Sequence, residues 1–208
     1  MTDKVCSRTK NKKKVYNFEL YKFEHIYNIY RRLKNRNIGP IKYNIFMISD
    51  PKCRIIMAQE LEDKIINHLI ADNALVKVFE SKYTNGMCAT RVGKGTLYGI
   101  KLLKKYINEI KIKYDNFYVL KLDISKYFYT VDHEILKRIL NDKIKDKEVI
   151  KVLNEIIDST NEEYVNETIS KLKSNRVKYL NNLNIKNKDK LIKEVEDIPL
   201  YKYGKGLL

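Results

Sequence analysis

The sequence is poor in cysteine, in histidine and in long apolar runs, and each shortage excludes a class of protein. It contains no stretch of about 18 apolar residues, so it predicts no membrane-spanning helix. The first ten residues lack the apolar core of a signal peptide, which favours a cytoplasmic protein over an exported one. The cysteines, Cys6, Cys53 and Cys88, are too few and too far apart for a disulfide framework or a zinc knuckle, and a reducing cytoplasm is the default for such a chain. Three scattered histidines give no reason to propose a catalytic triad.

The charge is strongly unbalanced. Among 208 residues, 42 are Lys or Arg and 26 are Asp or Glu, which gives a formal net charge of +16. The hydrophobic fraction of 44% is typical of a globular chain that forms one domain or parts of two. A positive field of this size attracts polyanions, and nucleic acid is the partner it favours. A basic protein of the membrane surface is the alternative, but no strongly amphipathic anchor segment stands out.

Residues 117–133 carry the most specific chemical signal, and they read FYVLKLDISKYFYTVDH. Side chains alternate between the two faces of a strand, so Tyr118, Leu120 and Leu122 are predicted to share an apolar face. Asp123 then ends the strand on the other face, before a polar turn. A carboxylate in that position commonly binds a cation or a substrate, although a buried strand with an incidental aspartate is the alternative.

Helical periodicity surrounds this stretch. Apolar spacing predicts helices over residues 59–70, 97–114, 133–144 and 147–158, with Asp132 as the N-cap of the third. In the second, Ile100, Leu103, Ile107 and Ile110 are expected to face inward. Residues 161–195 are predicted to be a polar, peripheral helical insertion without a function of its own.

The first part of the chain is basic. Residues 1–14 are expected to be a lysine-rich tail with little to bury, and residues 16–36 an amphipathic helix that ends at residues 37–40. The aromatic residues of this helix, together with its arginines, predict either a surface that stacks on a template strand or an ordinary face packed on the rest of the protein. Both interpretations stay open.

Residues 120–133, LKLDISKYFYTVDH, resemble the first palm motif of bacterial reverse transcriptases, the branch of RNA-directed DNA polymerases that includes retron, group II intron and phage-defence enzymes. Two further segments match that family in order and spacing. Residues 48–57, ISDPKCRIIM, resemble the fingers segment whose basic residues hold a triphosphate, and residues 89–96, ATRVGKGT, resemble the glycine-rich turn before a fingers-to-palm helix. The latter is not a Walker loop.

The resemblance implies an α+β fold: mostly helical fingers and part of a right-hand palm, with an antiparallel sheet covered by helices. It divides the chain into a basic tail and amphipathic helix (1–45), fingers (46–115), the first palm strand with its following helices (116–158), a polar helical insertion (159–200) and the start of the next palm motif (201–208).

The resemblance also implies roles for individual residues in two-metal nucleotidyl transfer on an RNA template. Asp123 and the carbonyl of Ile124 would bind two Mg²⁺ ions. The incoming deoxynucleoside triphosphate would be held by Lys52, Arg54, Ser125, Lys126, Tyr127 and Phe128, with Phe128 excluding a 2′-hydroxyl. Template and primer would meet Arg31, Arg32, Arg36, Arg91 and Lys94.

The Tyr-x-Asp-Asp hairpin that supplies the family's remaining metal ligands is not in the sequence, so the resemblance covers the front half of a polymerase domain. The chain alone is therefore expected to be inactive and to need a C-terminal palm and thumb as its partner. The alternative is a non-catalytic nucleic-acid-binding protein derived from a truncated polymerase. An RNA-dependent RNA polymerase is disfavoured by Phe128.

Overall fold

The structure is a computed structural model that describes residues 1–39 and 41–207. Pro40, at the predicted end of the first long helix, and Leu208, the last residue of the predicted second palm motif, lie outside the described residues. The fold is α+β and mostly helical. It divides into two compact units, a larger one built from residues 1–74 and 126 onwards, and a smaller one of residues 75–125.

The larger unit contains one antiparallel pair of strands and most of the helices. Its elements are α1 (Thr2–Arg8), α2 (Lys12–Leu20), α3 (Lys22–Lys34), β1 (Tyr43–Ile48), β2 (Arg54–Gln59), α4 (Leu61–Ile70), α7 (Tyr127–Thr130), α8 (His133–Lys143), α9 (Lys147–Asp158), α10 (Glu163–Asn181) and α11 (Lys188–Glu196). The smaller unit contains α5 (Val76–Phe79) and α6 (Thr96–Lys113). A π-helical turn, Ala71–Leu75, follows α4, and 3₁₀ turns occupy Glu80–Lys82 and Ser159–Asn161.

The N-terminal segment is not only a tail. Residues 1–14 contain α1 and the start of α2, and Val5 and Cys6 in α1 are 1% and 6% exposed. The expectation that this segment has little to bury is wrong, because these two small side chains join the core together with Leu61 and Ile65 of α4. Burial also raises the pKa of the Cys6 thiol, which keeps it protonated.

The core of the larger unit forms between the strand pair and helices from both ends of the chain. β1 and β2 pair antiparallel with Tyr43 opposite Gln59. Tyr43 and Ile45 on β1 are buried with Val165 and Ile169 of α10. The backbone N–H of Tyr43 also donates to the Tyr164 hydroxyl at 3.1 Å, which joins β1 to α10. The polar insertion therefore contributes buried residues to the core.

The helices predicted after the aspartate motif are confirmed. α8 and α9 cover the expected residues, and the Asp132 carboxylate accepts from the Ile135 N–H at 3.1 Å as the N-cap of α8. Asp146 caps α9 in the same way. An N-cap of this kind stabilises a helix by about 1 kcal/mol. This capping sets where α8 begins relative to α7.

The strand predicted before Asp123, in the smaller unit, is not formed. Residues 117–123 have no strand pairing in the structure, and the apolar side chains on both faces are open: Tyr118, Val119, Leu120 and Leu122 are 100%, 69%, 80% and 80% exposed. A strand needs a neighbour to satisfy its backbone hydrogen bonds, and no described segment pairs with this one. The predicted palm strand is therefore an unpaired segment without regular secondary structure. Helix α6 is confirmed, but Ile100, Leu103 and Ile110 on its predicted inner face are 47%, 52% and 38% exposed.

Candidate functional site

A pocket of about 530 Å³ lies in the larger unit, where β2, α7 and the segment after α11 meet. β2 supplies the first wall, α7 the second, and residues 194–199 with the C-terminal segment the third. The lining residues are Cys53, Arg54, Ile55, Ile56, Met57, Lys126, Phe128, Tyr129, Glu194, Asp197, Ile198, Pro199, Tyr201 and Leu207. The volume lies within the range of small-molecule sites.

Two cations reach this pocket from different parts of the chain. Arg54 is the first residue of β2, opposite Ile48, and it is exposed. Lys126 immediately precedes α7 and has a left-handed backbone with φ of 53°. That conformation costs a non-glycine residue about 1–2 kcal/mol, and such strain is often found at functional sites.

Two aromatic side chains define the α7 wall. Phe128 is 62% exposed, and its ring meets that of Tyr127 edge to face with centroids 5.4 Å apart. Tyr129 packs instead against Tyr201, with centroids 4.6 Å apart. Burial raises the pKa of both of these tyrosines, so their hydroxyls stay neutral. Phe128 is thus the aromatic ring of α7 that stays open to a ligand in the pocket.

The C-terminal segment is fixed against α7 by backbone hydrogen bonds. The N–H of Leu207 donates to the Phe128 carbonyl at 2.8 Å, and that of Gly206 donates to Val131 at 2.7 Å. Gly206 has φ of 91°, and a Cβ there would lie 2.5 Å from the Tyr201 ring. Only glycine allows the chain to pass this close. The pocket wall formed by Tyr201 and Leu207 therefore depends on Gly206.

His133 also holds the C-terminal segment in place. It is 1% exposed, and its Nε2–H donates to the Gly206 carbonyl at 2.6 Å. Its Nδ1 lies 3.3 Å from Asp158, which is also paired with Lys137 at 2.7 Å. The sequence gives no sign of this anchoring role, because the contact joins residues 73 positions apart.

Three of the predicted nucleotide-binding residues, Arg54, Lys126 and Phe128, come together in the pocket. Lys52 lies in the exposed turn between the strands and is not among the lining residues. Tyr127 contacts Phe128 through its ring. The other predicted residues, Ser125 and Asp123 with Ile124, belong to the smaller unit, where all three are exposed.

Glu194 and Asp197 are pocket residues that sequence reasoning missed. Both lie in the segment predicted to be an insertion without its own function. No sequence signal distinguishes them from the other acidic residues of a stretch rich in Lys, Asn and Glu.

Arg32 and Arg91, both predicted to bind nucleic acid, are used inside the fold instead. The guanidinium of Arg32 donates to the Ile38 carbonyl and pairs with Asp63, which is 7% exposed. Arg91 donates twice to Glu80, at 2.9 and 2.7 Å. Both side chains already have partners within the fold, which a phosphate would have to displace.

The remaining predicted cations are more open. Arg31 is exposed at the end of α3. Arg36 is also exposed, with a side chain 2.9 Å from Glu148. Lys94 lies over the Tyr98 ring, 5.0 Å from its centroid. Arg31 thus remains as an exposed cation of α3 next to the aromatic residues of that helix.

The described residues supply only part of the ligand set for the two magnesium ions that the resemblance implies. Magnesium takes several oxygen ligands in octahedral geometry. Asp123 is the one carboxylate in residues 116–131, and it is exposed. No group of three or more His, Cys, Asp or Glu side chains suited to a metal ion occurs in residues 1–39 and 41–207. These residues do not assemble the metal site by themselves.

No protein-family model matches this sequence, and a search of curated proteins finds no match. Within the part of the chain that the structure describes, no helix combines the length and apolarity needed to cross a membrane.

Proposed function

We propose that this chain is the N-terminal part of an RNA-directed DNA polymerase and that the pocket beside Phe128 binds the incoming deoxynucleoside triphosphate. One observation carries the proposal. Arg54 belongs to one sequence motif and Lys126 with Phe128 to another, and all three line one pocket. A nucleotide that contacts all three side chains would account for this arrangement.

The charges of the pocket orient such a ligand. Arg54 offers a planar fork that gives paired, charge-assisted hydrogen bonds to phosphate, and Lys126 adds a second positive charge. Glu194 and Asp197 on the α11 side repel phosphate. The triphosphate would therefore point towards β2 and the start of α7. Phe128 would then face the sugar and exclude a 2′-hydroxyl by its bulk.

The residues of this chain bind and position substrate; they do not complete the chemistry. Two Mg²⁺ ions would supply charge stabilisation for nucleotidyl transfer in the complete enzyme, and their remaining ligands would come from a C-terminal palm. The net charge of +16 supports an RNA template and a primer strand as the other partners. We therefore expect the 208-residue chain to bind nucleotide and nucleic acid without polymerising.

Ligand-observed saturation-transfer NMR with dTTP and Mg²⁺ tests this directly, because it detects weak binding. Arg54→Ala should raise the Kd for dTTP about tenfold or more, since a charge-assisted hydrogen bond contributes about 1.5–3 kcal/mol. Arg138→Ala, which removes an exposed arginine of α8 outside the pocket lining, is the matched control and should leave the Kd unchanged. Equal effects of the two substitutions would refute the proposal.

Sugar selectivity gives an independent readout. Phe128→Val should strengthen binding of UTP relative to dUTP, which differs from it only at the 2′-position, because the bulk that opposes the 2′-hydroxyl is gone. Equal weakening of both nucleotides would make Phe128 a packing residue. The non-catalytic alternative has a different result: the wild-type chain would bind RNA while dTTP shows no saturation transfer at any concentration tested.

A further inference from the structure

Helices α2 and α3 present a row of large apolar side chains to solvent. Within each helix, the spacing of three or four residues places these side chains on one face, and we call the five together the aromatic stripe. Its members and exposed fractions are Tyr16 (67%), Leu20 (59%), Phe23 (89%), Tyr27 (61%) and Tyr30 (55%). Large exposed apolar patches on a protein surface often mark a binding site.

The stripe cannot turn inward, because the opposite face of the same helices is anchored in the core. Phe18 and Ile29 are 2% and 5% exposed. His25 stacks on Phe18 with ring centroids 4.8 Å apart. The core contacts fix the rotation of both helices, so the interpretation in which the aromatic side chains pack on the rest of the protein does not hold for the stripe.

Cations flank the stripe from both ends. Lys12 and Lys13 are exposed at the start of α2, and Arg31 is exposed in the last turn of α3. The Lys34 ammonium lies 5.5 Å from the centroid of the Tyr30 ring. The acids of the two helices are Glu19 and Glu24, and Lys22 pairs with Glu19 at 3.0 Å and with Asp3 of α1 at 3.2 Å. The surface therefore combines aromatic faces with positive charge.

We propose that the aromatic stripe is a binding site for single-stranded nucleic acid. Bases would stack on Phe23, Tyr27 and Tyr30, while Arg31 and Lys34 contact phosphates. Stacking needs an open base face, which a duplex offers only at its ends, so the site prefers single strands. A lipid surface is less suited, because helices that lie on membranes bury mainly Trp, Phe and Leu, whereas three of these five side chains are tyrosines with a polar hydroxyl and only one is aliphatic. This inference rests on the nucleic-acid partner in the proposed function, but not on the nucleotide pocket.

Fluorescence anisotropy with a labelled single-stranded oligouridine, run on the full chain, tests the site. Tyr27→Ala should raise the Kd at least fivefold, because one stacked base contributes about 1–3 kcal/mol, whereas Tyr27→Phe keeps the ring and should keep the affinity. The salt dependence should be the same in both variants, because the cations remain. Tyr179→Ala and Tyr203→Ala remove rings that are 54% and 87% exposed elsewhere and serve as controls.

Three outcomes would overturn the inference. The first is an unchanged Kd for a triple Phe23, Tyr27 and Tyr30 to Ala variant, and the second is an equal loss of affinity for a matched duplex. The third is a triple variant that still binds RNA but no longer binds phosphatidylserine vesicles, or no longer self-associates in light scattering. If the wild-type chain binds no nucleic acid at all, the proposed partner fails together with the stripe. If the stripe variants bind RNA as tightly as the wild-type chain does, only the stripe proposal fails, and the nucleic-acid partner and the dTTP result stand.

Discussion

Arg32→Ala should destabilise the protein by about 3–5 kcal/mol, a large share of the stability of a domain of this size. The magnitude follows from what the substitution leaves behind. Asp63 would keep a buried charge whose bound partner is gone, and the carbonyl of Ile38, a residue 1% exposed, would lose its donor. Glu62, 3.4 Å from Arg32, is more open and should contribute less.

Urea unfolding of Arg32→Ala, Asp63→Ala and the double variant measures this coupling. The double variant should be more stable than the sum of the single effects predicts, because it no longer contains an unpaired buried charge. Arg31→Ala, at the exposed neighbouring position, is the control and should change stability by less than about 0.5 kcal/mol. The reasoning is refuted if Arg32→Ala unfolds normally and instead reduces the salt dependence of RNA binding, as a phosphate contact would.

Two further substitutions test the wall of the pocket. Gly206→Ala should cost about 1–3 kcal/mol more than Gly204→Ala, because both positions have positive φ but only at Gly206 would the new Cβ meet the Tyr201 ring; equal urea midpoints would show that the close approach is absent. Burial raises the pKa of Tyr201 above its unfolded value of about 10, so the unfolded state loses its proton first and stability should fall as the pH rises above about 10. Tyr201→Phe should flatten that fall, and an unchanged pH profile would contradict a buried hydroxyl.

Local periodicity predicted where helices form better than it predicted which side of each helix is buried. The helices α4, α6, α8 and α9 follow from apolar spacing and from Asp132 as a cap, because these signals act within a few residues. Which face of a helix is buried depends on distant partners. In α3 the aromatic face is open and Ile29 is buried, and the partner of Arg32 lies 31 residues away.

The pocket was predictable only where the chemistry of a residue is distinctive. Arg54 and Phe128 stand in motifs with a recognisable order and spacing, whereas Asp197 lies in a polar stretch with no such pattern. The strand expected at residues 117–123 failed for a related reason. Its alternation is what a strand requires, but pairing also needs a second strand, and that is not a local property of the segment.

The division of the larger unit into two separated stretches affects how the protein is made. Tyr43 and its hydrogen-bond partner Tyr164 are 121 residues apart. At a synthesis rate of about 5–20 residues per second, roughly 6–24 s pass between their appearance on the ribosome. During that time Ile45 is already present, but Val165 and Ile169, with which it is buried, are not. The nascent chain therefore exposes part of its apolar core while the smaller unit is being synthesised, and exposed apolar surface of this kind favours aggregation.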